Sequence, residues 1–263
     1  MNASVTHRHC RQTVGYLLLL VSTFSLVACQ SAGERKEAAE DRERIAQLNT
    51  QLAVQYAARQ DYATALQKLE KALEADSNYV DAHDALGVLR ARLGQFEDAE
   101  RSFSKALKID PDNSTALNNY GQFLCQRGRY AEGQKSFLKA VENPLYRLPA
   151  AAYTNAGTCA LDSGDPESAE IYYRKALAVD PRFPPTLFQM AALSLRLERY
   201  LPARGYLQRY QEVAQQSAAS LWLGIRIERQ LGDEDAVASY ELLLERSFPD
   251  APETRLLFES RAQ

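Results

Sequence analysis

An all-α fold, a right-handed solenoid of six stacked helix hairpins, is what this sequence predicts, and three observations predict it. Small and apolar residues recur with a period of about 34 residues, the mark of a helical repeat array. Within one period two stretches carry helical spacing: Leu86 and Gly87 in the first, then Ala99, Phe103 and Ala106 in the second. Gly94 stands at the break between them and Pro111 at the end, where a left-handed turn and a helix stop are needed.

Residues 80–113, VDAHDALGVLRARLGQFEDAERSFSKALKIDPDN, fit the tetratricopeptide (TPR) template. Gly87 and Ala99 let paired helices approach closely, Phe103 fills the space left by their crossing, and Asp110 before Pro111 is pushed out of helical backbone. The preceding unit, 46–79, places Leu52, Ala53 and Tyr56 on its first helix and Ala65, Leu69 and Ala72 on its second, with Ser77 where proline is usual. The third, 114–147, has Tyr120, Gly121, Leu124, Gly128, Gly133, Phe137 and Ala140, with Pro144 one place early. Gly133 replaces the usual alanine and weakens that helix by about 1 kcal/mol. Two extra residues, Leu148 and Pro149, lengthen the junction to the fourth unit, 150–183, which carries Tyr153, Ala156, Gly157, Gly164, Ala169, Tyr173, Ala176 and Pro181. The fifth, 184–216, keeps Met190, Ala191, Tyr200, Ala203 and Leu207; its Pro202 falls early in the second helix, where a missing N–H is tolerated. The sixth, 217–250, has Trp222, Leu223, Gly224, Gly232, Ala236, Tyr240 and Pro249, and residues 251–263 form a capping segment.

The amino terminus follows a different pattern. His7, Arg8 and Arg11 precede an apolar run from Val14 to Val27, too short for a comfortable spanning helix, so residues 1–28 are expected to be a signal peptide. Leu26-Val27-Ala28-Cys29 resembles a bacterial lipobox, which implies lipidation of Cys29; residues 29–45 then form a tether and a charged helical lead-in. Acyl chains add roughly 0.8 kcal/mol per buried methylene, so several together anchor a domain. Gln30 after the cysteine, by the same resemblance, implies the outer membrane: a protein held by lipid at its inner leaflet and facing the periplasm.

Without residues 1–28 the chain has 29 basic against 34 acidic side chains, a net charge of −5. Its Lys and Arg are interspersed with Glu and Asp, so no nucleic-acid partner is expected. His83, the one histidine past the signal, falls at a helix-interface position and is read as a packing residue. One histidine and two separated cysteines make neither a metal site nor a cofactor site, and no cofactor or small-molecule substrate is expected. Asp61, Asp165 and Asp233 stand near inter-helix turns, where capping accounts for them. Cys125 and Cys159, one repeat apart, fall on first helices that pack side by side. They are either bridged, in an oxidising compartment, or two buried thiols that point past each other.

A solenoid of this kind leaves a concave face lined by first helices, suited to a polypeptide partner. On the repeat geometry its lining includes Thr50, Val54, Ala57 and Ala58, then Asp84, Val88 and Arg92, then Asn118 and Gln122. The lipobox, the six units and the cysteine pair, with the segments LGVLRARLGQFEDAERSFSKAL and NNYGQFLCQRGRYAEG, resemble the PilF/PilW family of type IV pilus biogenesis lipoproteins, the pilotins. That resemblance implies a protein that binds the pilus secretin subunit and promotes its outer-membrane localisation and multimerisation; the chain is expected to be a monomer and, with no catalytic constellation among its residues, not an enzyme. It also implies a disulfide between Cys125 and Cys159. Two other readings stand beside it: a scaffold for another envelope machine, such as β-barrel assembly or peptidoglycan-enzyme regulation, and a thiol-dependent hydrolase using Cys125 or Cys159.

Overall fold

The computed structural model describes residues 35–261, and these form thirteen helices with no strand among them. Helix α1 covers residues 35–58. It is followed by α2 (Tyr62–Ala75), α3 (Val80–Arg92), α4 (Phe96–Ile109), α5 (Ser114–Gln126), α6 (Tyr130–Glu142) and α7 (Pro149–Asp162). The rest are α8 (Pro166–Val179), α9 (Pro184–Arg196), α10 (Tyr200–Gln211), α11 (Ala218–Leu231), α12 (Glu234–Ser247) and α13 (Pro252–Arg261). They group into two compact units, one ending at Ile109 and one beginning at Asp110. Among the described residues no helix is long and apolar enough to cross a membrane.

The helices pair as the 34-residue period requires, and the chemistry of the turns explains where they stop. Within hairpins, Gly94, Gly128, Gly164 and Gly232 adopt φ between 71° and 86°, a backbone that costs glycine nothing. Gln60 (φ 64°) and Glu198 (φ 57°) occupy the corresponding turns with a side chain in place. Glu198→Gly is therefore expected to raise stability by about 1 kcal/mol, read as a higher urea midpoint at unchanged slope. Between hairpins, the carboxylates of Asp76, Asp110 and Asp180 accept from the N–H two residues on, at 2.9, 3.1 and 2.9 Å. The Asn143 side chain does the same for Leu145 at 2.9 Å. This turn and the following proline or polar residue stop α2, α4, α6 and α8 and lead into the next first helix. Asp61, Asp165 and Asp233 cap α2, α8 and α12 by accepting from Thr64, Ser168 and Ala236 N–H, as the sequence leads one to expect. The Ser168 side chain and N–H also hold the Asp165 carboxyl below its usual range.

Close packing within a hairpin rests on a ring laid over a glycine. A Cβ on Gly87 would stand 2.8 Å from the Phe103 ring, on Gly121 2.8 Å from Phe137, on Gly157 2.5 Å from Tyr173 and on Gly224 3.0 Å from Tyr240. Tyr173 is wholly buried. Burial pushes its phenol up, and its hydroxyl lies 3.2 Å from the Thr158 hydroxyl.

In the first unit, Ala46 and Ala53 of α1 pack with Ala65, Leu69 and Ala72 of α2 and with Ala82, Leu86 and Leu89 of α3. The charged lead-in is not a separate element. It continues without a break into α1, because residues 35–45 hold good helix formers and ion pairs such as Lys36–Glu40 at 3.8 Å. His83 is half-buried and its Nε2 lies 3.0 Å from the Ser77 carbonyl, so it ties α3 to the preceding turn and takes no part in the core.

The second unit builds a succession of small cores, each shared by neighbouring hairpins: one around Phe137, Ala156 and the two cysteines, one around Tyr173, Met190 and Leu193, one around Leu207 and Ile227, and one around Ile225, Leu244 and Leu257 of α13. A buried ionic link joins α10 to α11. Glu228 is 3% exposed and receives Arg204 through both guanidinium arms, Nε to Oε1 at 3.0 Å and Nη2 to Oε2. Arg204 also reaches Asp233 at 3.1 Å. Nearer the surface, Arg174 and Arg199 bond Glu170 at 2.7 and 2.8 Å, and the Arg174 bond, first among the causes, holds that carboxyl below its usual range.

Candidate interaction surfaces

In the first unit the expected lining residues separate by burial. Thr50 and Asp84 are each 6% exposed, and the Thr50 hydroxyl donates back to the Ala46 carbonyl at 2.8 Å. Ala57 is packed against the first core. These three therefore do not offer themselves to a partner: Ala46, Thr50, Ala53 and Ala57 follow one another at spacings of three and four, the face that α1 turns inward. Val54, Ala58 and Arg92 are exposed and Val88 is half-buried. Ile45 and Leu48 on α1, 49% and 56% exposed, stand one turn apart on a different face of that helix from Val54 and Ala58. The sequence held the signal, since Ile45 and Leu48 continue toward Leu52 at helical spacing, but the boundary between lead-in (to 45) and first unit (from 46) falls between them until α1 is seen to be one helix.

In the second unit, Asn118 and Gln122 stand on α5 beside a cavity of roughly 120 Å³. Its lining is Gln122, Cys125 and Gln126 of α5, Phe137 of α6, and Asn155, Thr158, Cys159 and Asp162 of α7. The Asn155 amide donates to the Asn118 carbonyl oxygen at 3.0 Å, joining the two first helices above the cavity. Cys125 and Cys159 are joined as a disulfide with their Cα atoms 5.6 Å apart, a normal separation for a bridge. Here Gly133 acquires its reason: a Cβ there would stand 2.2 Å from the Cys125 sulfur and 2.8 Å from the Gly121 carbonyl oxygen. The residue that weakens α6 makes room for the bridge. Among the described residues no group of three or more His, Cys, Asp or Glu side chains is placed to hold a metal ion.

Two family models described as tetratricopeptide repeat match, over residues 80–113 and 112–182. The type IV pilus assembly protein PilF of Pseudomonas aeruginosa is 33% identical over 243 residues, which is 92% of this chain and 96% of that protein. The chain belongs to the PilF/PilW family. Among solved structures, that of P. aeruginosa PilF superposes with a TM-score of 0.72 at 33% identity, over 84% of this chain and 99% of that one. The crystal structure of PilW, described as a widely conserved type IV pilus biogenesis factor, gives 0.73 at 34% identity, over 81% and 98%. The fold class of the PilF/PilW chain is accordingly the all-α TPR solenoid, and its place is among the TPR proteins of type IV pilus biogenesis. Cys29, the lipidation candidate, lies outside the described residues.

Proposed function

We propose that this protein is an outer-membrane pilotin: anchored by lipid on Cys29, it holds the type IV pilus secretin subunit on the exposed faces of its first helices and promotes the subunit's localisation and multimerisation. The observation that carries this is the 33% identity to PilF along almost the whole of both chains. The lipobox resemblance at Leu26-Val27-Ala28-Cys29 supports the anchor. The role is one of binding and involves no covalent step. Cys125 and Cys159 are spent on each other, so neither supplies the thiolate a hydrolase would need. A tether raises the local concentration of binding faces at the membrane, so each contact with the secretin can be weak.

Cys29→Ser tests the anchor. Expected is a folded protein that fractionates as soluble periplasmic material, with secretin multimers depleted from the outer membrane. Secretin multimers at normal level in the outer membrane of that strain would count against the tether; failure of the wild-type protein to bind secretin subunit at all would count against the partner.

A further inference from the structure

We infer that the junction between the third and fourth hairpins, residues 143–148, is a membrane contact: its leucines enter a phospholipid surface and Arg147 meets the headgroup phosphates. The junctions repeat one device, and this copy departs from it. In the turns 76–79, 110–113, 143–146 and 180–183 the fourth N–H donates to the first carbonyl, at 3.1, 3.4, 3.1 and 3.2 Å. The third residue stands at the tip of each turn, and in three of them it is polar: Asn78, Asp112 and Arg182. In the other it is Leu145, 84% exposed, more than any other large apolar side chain among the described residues. Tyr79, Asn113 and Phe183 then serve directly as N-caps of α3, α5 and α9, whereas Arg147 and Leu148 intervene before Pro149 starts α7. Leu148 is exposed too. The turn is stiff, because Pro144 fixes its own φ and the Asn143 side chain accepts from Leu145 N–H at 2.9 Å. A leucine is thus held out in water on a rigid support, and burying it costs little further ordering.

The chemistry of this stretch fits lipid. Leu145, Tyr146, Arg147 and Leu148 set two aliphatic tips beside a half-buried phenol and a guanidinium, the mixture that settles at the boundary of acyl chains and headgroups. Arg147 and Arg182 are exposed, and neither is paired with a carboxylate among the described residues. Asp180 turns its carboxylate to the Arg182 N–H at 2.9 Å, which leaves the exposed Glu142 as the acidic side chain a phosphate would meet beside them. The neighbouring turns are tied down: Lys139 Nζ donates to the Pro111 carbonyl at 2.6 Å and Arg209 Nη2 to the Pro181 carbonyl at 2.7 Å. Lys175, their counterpart on α8, lies instead over the rings of Tyr153 and Tyr172, at 5.9 and 5.6 Å. One turn cannot supply the roughly 800 Å² per partner of a specific protein interface, but a bilayer demands no matching shape. Cys29 stands six positions before α1 begins at residue 35, a reach of at most about 20 Å. An acylated Cys29 would keep the bilayer near, so a weak contact is enough.

The contact rests on the lipid anchor of the proposed function to bring a bilayer close, so unacylated and acylated protein are tested apart. The mature Cys29→Ser protein is titrated with phosphatidylcholine vesicles, with and without phosphatidylglycerol, and bound protein is read by flotation. Expected is weak binding that Leu145→Ser with Leu148→Ser lowers about tenfold at an unchanged urea midpoint, as when a few methylenes leave the acyl boundary. Arg147→Gln should lower it about fivefold where phosphatidylglycerol is present. In acylated protein reconstituted into the same vesicles, a dye on Leu145→Cys should be quenched by nitroxide-labelled lipid. A dye on Glu167→Cys, at the opposite end of α8 from the junctions, should not be. No binding by the unacylated protein, equal binding by the leucine variant, or a dye at 145 quenched no more than one at 167 overturns the contact and leaves the anchor standing. Wild-type protein that floats no better than Cys29→Ser, with binding that still needs the leucines, keeps the contact and overturns the anchor. A dye at 145 that is shielded in cell envelopes yet stays in water on vesicles overturns the contact in favour of a protein partner.

Discussion

Gly133→Ala should cost the oxidised protein about 2–3 kcal/mol, or leave Cys125 and Cys159 unpaired. The new methyl would be placed 2.2 Å from a sulfur that the bridge forbids to rotate away, and 2.8 Å from a backbone oxygen of α5. Elsewhere in the array the same repeat position takes alanine without difficulty, as Ala65, Ala99, Ala169 and Ala203 show, all wholly buried. In a background of Cys125→Ala with Cys159→Ala the sulfur is gone. The substitution should then cost at least 1 kcal/mol less, approximately, helped by alanine's advantage over glycine inside a helix. Urea unfolding of the four proteins, with a count of free thiols, reads both quantities. Additive costs, with no coupling between position 133 and the cysteines, would show that the bridge and the glycine are unrelated.

Arg204→Ala should destabilise the second unit by about 3 kcal/mol, since it strips the main partner from a carboxylate with 3% exposure. The guanidinium itself stays partly in water, which places the expected cost at the lower end for a buried pair. Replacing both partners, Arg204→Met with Glu228→Leu, should return stability to within about 1 kcal/mol of the parent, because neither charge is then left in the interior. A loss below about 1 kcal/mol for Arg204→Ala alone, measured by the same unfolding curves, would mean that water reaches Glu228 well enough to replace the arginine.

The repeat frame was legible because its physics is local. A ring over a glycine needs Gly and an aromatic at set spacing, and Gly87 with Phe103 or Gly157 with Tyr173 announce it in one dimension. The Asx-stopped helix ends are equally local. What the spacing could not supply was how deeply a neighbour covers a given face. Thr50 and Asp84 have the right position within their helices to line a groove, yet the adjoining helices remove both from solvent. Gly133 shows the same limit from the other side: along the chain it is a weak helix residue, and only the approach of the Cys125 sulfur explains it. Likewise Gln126, Asn155 and Thr158 are ordinary polar helix residues until α5 and α7 set them around one cavity.

The bridge spans 34 residues and joins the first helices of two successive hairpins. Everything it requires is therefore complete once the chain has reached α7, while α9 to α13 have yet to take part. Closing so short a loop carries little entropic delay. A polypeptide delivered amino end first can thus seal its middle covalently before its carboxyl end arrives, and the later hairpins then assemble against a template that can no longer come apart.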